Sequence, residues 1–389
     1  MSNQRNVADL DLFVQNFAAP STAKPTAPLE LKGGGWNVAA WSDDGRQMIL
    51  RNYKSINESE LFRFDVASRK LEPLHPTKPP VAYSGLASNV AFSADGKGSF
   101  LTSDEESEFQ TLRHLDLASG QLTALSARNQ LTRWTTSETG GFNPATFPEP
   151  SLIQYPTFDQ VNGKPRMIPA FVYRPKDATG KTPVLLNIHG GPERQSYPNF
   201  NPLNALLYNE LGITIVVPNV CALTGYGKTC VALDNGPKRE DAVKDIGALL
   251  DWIATQPNLD ASRVAVFGSS YGGYMSLAAM TNYNDRMRCD IDLFGISNFV
   301  TFLQNTSSYG ADRRRAEYGD ERDPAMRRAF ETFSPIYKIQ NITKPMLVYQ
   351  CKNDPRVPLS ESEQMVAGLK KQGTTAWLKK PTATTPAVP

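Results

Sequence analysis

The alternation of apolar and polar positions changes character along the chain of 389 residues. In residues 36–135, short segments alternate apolar and polar residues with a period of two, which predicts half-buried β-strands. Asp-Gly and Ser-Gly pairs between these segments predict tight turns. The segments are 48–51, 61–65, 99–102 and 112–116.

An internal repeat organises this first region. The segment 41–46 recurs as 92–97, and the segment 64–68 recurs as 115–119, with the same offset in both cases. Repeated groups of short strands are typical of β-propeller blades. Because closing a propeller takes roughly four to eight blades, two groups predict an incomplete, propeller-like all-β domain over residues 36–135.

The flanks of the repeat suggest that further blades are missing. Residues 131–135 resemble the closing strand of a blade whose body is absent, so blades are expected to be missing before residue 36 and near residue 128. A small β-meander that packs on the next domain is the alternative. Residues 1–35, which include a Pro/Ala/Thr-rich stretch, predict a flexible lead-in.

The second part of the chain follows a different pattern. Continuous apolar runs alternate with helical patterns, which predicts a mostly parallel, doubly wound sheet of the α/β-hydrolase arrangement within residues 136–389. In the clearest helix, residues 241–255, the apolar side chains fall on one stripe. Strands are expected at 155–159, 168–173, 184–188, 213–217, 264–267, 291–294 and 346–350.

Composition narrows the function mainly by exclusion. The net charge of +2 gives no global attraction to nucleic acid or to an anionic membrane. The four cysteines lack the paired spacing of a zinc site or a disulfide framework. No apolar run approaches transmembrane length, and the first residues lack the pattern of an export signal. The default expectation is therefore a cytoplasmic protein, with a periplasmic or secreted location open for an intact relative.

The segment 264–275 carries the clearest chemical signal. Four apolar residues lead into Gly-x-Ser-x-Gly from Gly268 to Gly272, and an apolar helical pattern follows directly. This order of strand, turn and helix predicts a nucleophile elbow with Ser270 as the nucleophile. An ordinary glycine-rich turn between a strand and a helix is the alternative interpretation.

Two more loops follow predicted strands and carry candidate catalytic groups. After residues 184–188 comes His-Gly-Gly-Pro, whose Gly191 N–H, together with the Tyr271 N–H, is expected to form an oxyanion hole. We expect His189 to hydrogen-bond this loop rather than to transfer a proton. Asp354 follows the strand at 346–350, late in the domain, which is where the acidic member of a catalytic triad belongs.

Taken together, these motifs resemble the prolyl oligopeptidase family of serine peptidases (peptidase S9), particularly its acylaminoacyl-peptidase-like and dipeptidyl-peptidase-like members. The resemblance covers about residues 36–378. It implies a propeller that filters peptide substrates and a C-terminal serine peptidase that needs neither metal nor organic cofactor. The motifs that carry it are 189–192, Asn219 with 224–227, 268–273 and 353–358.

The chain departs from the family pattern in two places. Residues 221–223 read Cys-Ala-Leu where the family often has Arg-Gly-Ser, so a positively charged contact is expected to be lost. More seriously, the family's triad histidine lies in a Gly-His loop after one last strand, whereas no histidine follows His189 here. The pattern continues through residues 373–378 and then gives way to a Pro/Thr/Ala-rich tail.

The missing histidine leaves several functions open. A shifted reading frame within residues 382–384 can encode a Gly-His pair, so one expectation is a truncated product of a gene whose intact relatives are peptidases. A serine peptidase acting through Ser270 is the first hypothesis. The second is a catalytically inactive remnant or a peptide-binding protein, and a small-ester hydrolase without peptide preference is the third.

Overall fold

The computed structural model describes residues 1–15, 27–75, 81–82, 90–125, 141, 143, 146–199 and 201–381. The chain divides into two compact units. The N-terminal unit comprises Met1–Leu131, Gly225–Val231 and Ser307–Glu317, and the α/β unit comprises Thr132–Thr224, Ala232–Thr306 and Tyr318–Pro389. The domain limits expected from the sequence stay a prediction, and two short later segments group with the first unit.

The described part of the N-terminal unit contains two antiparallel four-stranded sheets, each with its strands in chain order. In the first sheet the strands are β1 (Trp36–Trp41), β2 (Gln47–Ser55), β3 (Glu58–Asp65) and β4 (Leu71–Pro73). In the second they are β5 (Ala91–Phe92), β6 (Gly98–Ser103), β7 (Thr111–Asp116) and β8 (Leu122–Ala124). The four strands predicted within the repeat all lie inside this set.

The sequence repeat appears as a repeat of hydrogen bonds. The Ser42 hydroxyl lies 2.7 Å from Asp44 Oδ1 in the turn before β2, and the Ser93 hydroxyl lies 2.6 Å from Asp95 Oδ1 in the turn before β6. Both turns end on a glycine with positive φ, which a residue without Cβ adopts at little cost. Each repeat unit therefore builds one sheet with the same turn chemistry.

Two leucines of the expected lead-in belong to a hydrophobic core. Leu12 and Leu31 are buried against Trp36 and against Met48 of β2. The Arg5 side chain donates hydrogen bonds to both carboxylate oxygens of Asp11, each at 2.9 Å. Burial of these apolar side chains favours packing of the residues around them. Most of the Pro/Ala/Thr-rich stretch lies outside the described residues, so the flexible lead-in stays a prediction. The predicted closing strand at residues 131–135 lies outside the described residues.

The α/β unit is built on an eight-stranded sheet in the described residues. The strands of this sheet are β9 (Ser151–Val161), β10 (Lys164–Tyr173), β11 (Thr182–Ile188), β12 (Thr214–Pro218), β13 (Leu259–Ser269), β14 (Cys289–Leu293), β15 (Met346–Tyr349) and β16 (Ala376–Lys379). Their order is β16-β15-β14-β13-β11-β12-β10-β9, and all neighbours are parallel except the pairs β9–β10 and β10–β12. The predicted fold class, an α/β-hydrolase sheet preceded by an incomplete propeller-like domain, is confirmed.

The helices are α1 (Pro202–Asn209), α2 (Lys228–Val231), α3 (Asp241–Thr255), α4 (Tyr271–Tyr283), α5 (Phe299–Asn305), α6 (Ser308–Tyr318), α7 (Pro324–Phe333) and α8 (Leu359–Lys371). Helix α3 has the bounds that its apolar stripe predicts. Helix α4 is buried from Tyr271 through Thr281, so it forms the centre of the unit's core. None of the helices in the described ranges has both the length and the apolar composition to cross a bilayer.

The order of strands determines where the loops meet. Strand β11 has β12 on one side and β13 on the other, so the winding direction of the sheet changes at this point. In open α/β sheets, ligands bind at the carboxyl ends of the strands where the order switches. The loops that follow β11 and β13 both leave this edge, and they are two of the three loops for which the sequence predicts catalytic chemistry.

Candidate active site

Ser270 occupies the turn between β13 and α4 in a strained backbone conformation. Its φ is 57° and its ψ is −118°, a region that residues with a side chain rarely adopt. The Ser270 N–H donates to the Leu293 carbonyl at 2.9 Å, and its carbonyl accepts from the Tyr274 N–H at 3.1 Å. Hydrogen bonds on both sides therefore hold the turn that presents the Ser270 side chain.

The glycines of the motif are required by close packing. A Cβ atom on Gly268 would collide with the carbonyl group of Gly272. A Cβ atom on Gly272 would collide with the carbonyl oxygens of Ile188 and His189. Since these obstacles are backbone atoms, they have little room to move, and the elbow closes against the end of β11 only with glycine at both positions.

The His-Gly-Gly-Pro loop lies directly against the elbow. A Cβ atom on Gly190 would be 2.9 Å from the Ser269 carbonyl oxygen and 3.6 Å from Ser270 Cβ. Gly191 has a φ of 137°, which strongly favours glycine. The loop therefore brings the backbone of residues 190–191 next to Ser270, while the pairing of the Gly191 and Tyr271 N–H groups as an oxyanion hole stays a prediction.

His189 makes its contact within this loop. Its Nδ1 atom is 3.0 Å from the Gly190 carbonyl oxygen, and its Nε2 atom is shielded from solvent. Burial lowers the pKa of His189 to about 4, so the imidazole is neutral at physiological pH. A neutral ring that donates from Nδ1 to its own loop supports the expectation of a structural role.

Asp354 lies in the loop that follows β15 and is 8% exposed. Its Oδ1 atom accepts hydrogen bonds from the N–H groups of Arg356 at 2.8 Å and Val357 at 3.2 Å. Its Oδ2 atom is buried and has no hydrogen-bond partner among the described residues. One oxygen thus fixes the carboxylate within its own loop and the other is left to accept from a further donor, which is unusual for a buried carboxylate.

Glu361 is the third residue of α8, and its side chain connects this helix to residues 297–301. The sequence analysis missed this connection. The Glu361 Oε2 atom accepts from the Asn298 N–H at 2.8 Å and the Ser297 N–H at 3.2 Å, and its Oε1 atom accepts from the Thr301 hydroxyl at 2.6 Å. The side chain is fully buried, and this burial raises its pKa. An acidic residue near a helix start is ordinarily exposed, so no local pattern indicates this network.

The second missed feature lies beneath the first residue of α4. The Tyr271 side chain is completely buried, and its hydroxyl donates to Asp234 Oδ2 at 2.8 Å. Arg239 Nη1 donates to the same oxygen, also at 2.8 Å. Burial raises the pKa of Asp234 to about 6, against the opposing effect of Arg239. Both residues lie in a segment of loops and one short 3₁₀ turn, where sequence periodicity gives no signal.

The structure also clarifies the departure at residues 221–223. Cys221 is buried, its N–H donates to Asp245 Oδ2 at 2.9 Å, and burial raises the pKa of its thiol, so it carries no charge. Ala222 has a φ of 78°, a conformation that glycine adopts at little cost, and the family often has glycine there. Residue 222 thus adopts a conformation that favours glycine, and residues 221–223 carry no positively charged side chain.

Within the described ranges, no group of three or more His, Cys, Asp or Glu side chains is arranged to hold a metal ion. The elbow and the His-Gly-Gly-Pro loop bring a serine next to backbone N–H groups, and the buried Asp354 carboxylate lies in the loop after β15 of the same sheet. Such groups suit nucleophilic acyl transfer, in which a covalent intermediate forms on the serine.

Comparisons with known proteins find that the chain is similar to peptidases. The model of the prolyl oligopeptidase family matches residues 198–380. A dipeptidyl peptidase family member 6 from Caenorhabditis elegans is 29% identical over 64% of this chain and 35% of its own length. Dipeptidyl aminopeptidase BIII from Pseudoxanthomonas mexicana is 31% identical over 49% of this chain and 28% of its own length. The chain thus spans about a third of the length of these curated relatives.

Solved structures show the same fold. An acylaminoacyl peptidase from Pyrococcus horikoshii superposes with a TM-score of 0.68 at 18% identity, covering 97% of this chain and 62% of that protein. A prolyl endopeptidase superposes with a TM-score of 0.76 at 15% identity, covering 95% of this chain and 68% of that protein. Over residues 198–380, within the α/β unit, the sequence matches the prolyl oligopeptidase family of peptidases, which is the family that the motifs of the chain resemble.

Proposed function

We propose that the α/β unit is the catalytic part of a serine peptidase that hydrolyses peptide bonds through an acyl-enzyme on Ser270. The observation that carries this proposal is the strained elbow, with Ser270 at φ 57° and the His-Gly-Gly-Pro loop packed against it. Strain of this kind persists where the surrounding structure enforces it, and it is common at catalytic residues. The peptidases among the relatives support peptide bonds as the substrate class.

In the proposed reaction, Ser270 Oγ attacks the scissile carbonyl carbon while a base takes its proton. The Tyr271 and Gly191 N–H groups donate to the oxyanion that forms, and each such donor is worth on the order of 100- to 1000-fold in rate. The bond to the leaving amine then breaks, the amine takes up the proton, and an ester on Ser270 remains. Water, deprotonated by the same base, hydrolyses this ester and restores Ser270.

Asp354 has the features of the residue that orients the base. Its free Oδ2 atom is positioned by the two hydrogen bonds at Oδ1 and suits acceptance of an imidazole N–H. The family supplies that imidazole from a histidine after this aspartate, and no histidine follows His189 in these 389 residues. In experiments on this chain, the base is therefore supplied as free imidazole.

The competing function is peptide binding without catalysis. The observation that favours it is that no histidine follows His189 in these 389 residues, since removing the triad base costs on the order of a millionfold in turnover. A hydrolase of small esters is a third candidate. It predicts rapid cleavage of short acyl esters and no cleavage of peptidyl amides.

A fluorophosphonate probe tests the proposed nucleophile. We expect covalent labelling of the chain in the presence of imidazole, loss of labelling in Ser270→Ala, and retention in Ser269→Ala, which changes the neighbouring serine of the same turn. Mass spectrometry of the digested protein locates the adduct. A folded sample that stays unlabelled at all imidazole concentrations would overturn the proposal in favour of the binding function.

A further inference from the structure

A buried polar cluster, composed of Asp234, Arg239, Tyr271 and Tyr318, lies directly beneath the elbow. Asp234, Arg239 and Tyr271 are all 0% exposed, so the cluster does not contact solvent. Burying a carboxylate and a guanidinium group costs free energy, and the pair does not maximise stability in the way that apolar packing does. Its position next to Ser270 therefore calls for a functional explanation.

The cluster holds the Tyr271 ring on two sides. The hydroxyl at the end of the ring donates to Asp234 Oδ2 at 2.8 Å. The Arg239 guanidinium carbon lies 5.3 Å from the centre of the Tyr271 ring and 4.9 Å from the centre of the Tyr318 ring. The Tyr271 and Tyr318 rings are themselves stacked, with centres 6.3 Å apart and an interplanar angle of 21°.

Asp234 links the two contacts. Its Oδ2 atom accepts from both the Tyr271 hydroxyl and Arg239 Nη1, so displacing either donor weakens the position of the other. Hydrogen bonds to ionised partners are roughly twice as strong as those between neutral groups. The ring of Tyr271 is consequently fixed both along its axis and across its face.

Tyr271 is also the first residue of α4, and N–H groups in the first turn of a helix have no acceptor within the helix. Its N–H is therefore available to a substrate oxygen, as the proposed mechanism requires. Catalytic groups have to be held within about 0.5 Å and 10–20° of their productive geometry by surrounding side chains. Fixing the Tyr271 ring fixes the Cα atom of the residue that carries this N–H.

We propose that Asp234 and Arg239 are positioning residues for the reaction: they immobilise the Tyr271 side chain and thereby aim its backbone N–H at the developing oxyanion. This inference rests on the proposed function, because it concerns a donor to the oxyanion that forms while Ser270 is being acylated and deacylated. Neither residue touches the substrate. Their effect is on the rate of the chemical step and not on the binding of the probe or peptide before it reacts.

Helix α4 offers a matched pair of variants for the test. Tyr271→Phe removes the hydroxyl that donates to Asp234 and keeps the ring. Tyr274→Phe removes a hydroxyl from a side chain that is equally buried, and that hydroxyl has no hydrogen-bond partner among the described residues. The two changes are chemically identical and three positions apart, so a general effect of losing a buried hydroxyl appears in both.

The first readout is fluorophosphonate labelling with imidazole, separated into the dissociation constant of the initial complex and the rate constant of the covalent step. We expect Tyr271→Phe to lower the covalent rate constant roughly tenfold and to leave the dissociation constant unchanged, because a poorly oriented N–H group stabilises the oxyanion less. Asp234→Asn should behave in the same way. Tyr274→Phe should stay within about twofold of the parent chain, since it removes no hydrogen bond.

The second readout needs no catalysis. Hydrogen–deuterium exchange of a peptide covering residues 269–275 should rise in Tyr271→Phe and Asp234→Asn and remain at the parent level in Tyr274→Phe. Equal behaviour of the two tyrosine variants in exchange and labelling would overturn the inference. If the parent chain is never labelled, the proposed function fails, and the exchange result alone decides whether the cluster immobilises Tyr271.

Discussion

At the scale of single residues, two buried carboxylates beneath the elbow have environments that the sequence does not reveal. Asp290 and Asp292 alternate along β14 on its buried face and are each 1% exposed. Burial raises the pKa of Asp292 to about 7, and burial together with the neighbouring Asp292 raises the pKa of Asp290 well above its usual range. Side chains of a strand point to the faces of its sheet, and Asp292 lies against Gly273 of α4, so tertiary packing on the face of the sheet buries it.

The raised pKa of Asp292 predicts that the free energy of unfolding falls as the pH rises. Because the folded-state pKa of Asp292 is about 7 and its ordinary value is 3.8, the folded state holds more protons than the unfolded state between these limits. Stability should therefore fall as the pH rises from 5 to 8. We expect Asp292→Asn, which stays neutral, to reduce this fall by about 2 kcal/mol in urea unfolding.

Asp260 provides the control for this measurement. Hydrogen bonds from Ser262, with the Arg263 side chain, lower the pKa of Asp260 to about 2, so it remains ionised throughout the same pH range. Asp260→Asn should leave the difference between pH 5 and pH 8 unchanged. A profile for Asp292→Asn that parallels the parent chain would show that the buried carboxyl does not titrate in this range.

Asp354 leads to a second prediction at this scale. If its free Oδ2 atom orients the base, added imidazole should accelerate fluorophosphonate labelling of the parent chain but not of Asp354→Asn. The Asn side-chain oxygen can still accept from the N–H groups of Arg356 and Val357, so the loop should keep its shape. Thermal unfolding checks that the variant is folded, and equal acceleration in both proteins would contradict the assigned role.

At the scale of elements, local patterns predict those parts whose burial is periodic. Helix α3 has the predicted bounds because its apolar stripe faces the sheet over its whole length. The elbow is predicted from three local signals around Ser270: the apolar strand before it, the glycines on either side and the apolar helical pattern after it. Side chains that connect elements distant in sequence are different: Glu361 accepts a hydrogen bond from Asn298, 63 positions away, and Asp234 accepts one from Tyr271, 37 positions away. Such pairings depend on tertiary structure, so no local pattern contains them.

The Glu361 network predicts a large difference between two substitutions in one helix. Glu361→Gln places an amide N–H₂ group where N–H and O–H groups now donate to a carboxylate, so we expect a loss of about 2–3 kcal/mol in the free energy of unfolding. Glu363→Gln removes a surface ion pair with Lys380 at 2.8 Å and should cost less than about 1 kcal/mol. Urea unfolding of both variants makes the comparison, and equal costs would show that the network contributes little.

At the scale of the whole molecule, the sequence predicts the two kinds of architecture better than it predicts which segments of the chain belong to each compact unit. The repeat at constant offset identifies the two antiparallel sheets, and the α/β alternation identifies the eight-stranded sheet. The segments Gly225–Val231 and Ser307–Glu317 nevertheless group with the N-terminal unit. In the first of them, the Thr229 N–H donates to Glu108 Oε1 at 2.7 Å, a contact between residues 121 positions apart that no linear pattern indicates.

The most direct test of the central claim is hydrolysis of a peptidyl amide by this chain with imidazole as the supplied base. We predict release of the amine at a rate that rises with imidazole concentration and is lost in Ser270→Ala while Ser269→Ala retains it. The loss must occur in a folded protein, as shown by its unfolding transition. Hydrolysis that survives Ser270→Ala, or a folded parent chain that binds peptide and never cleaves it, would contradict the claim that this site is a serine peptidase.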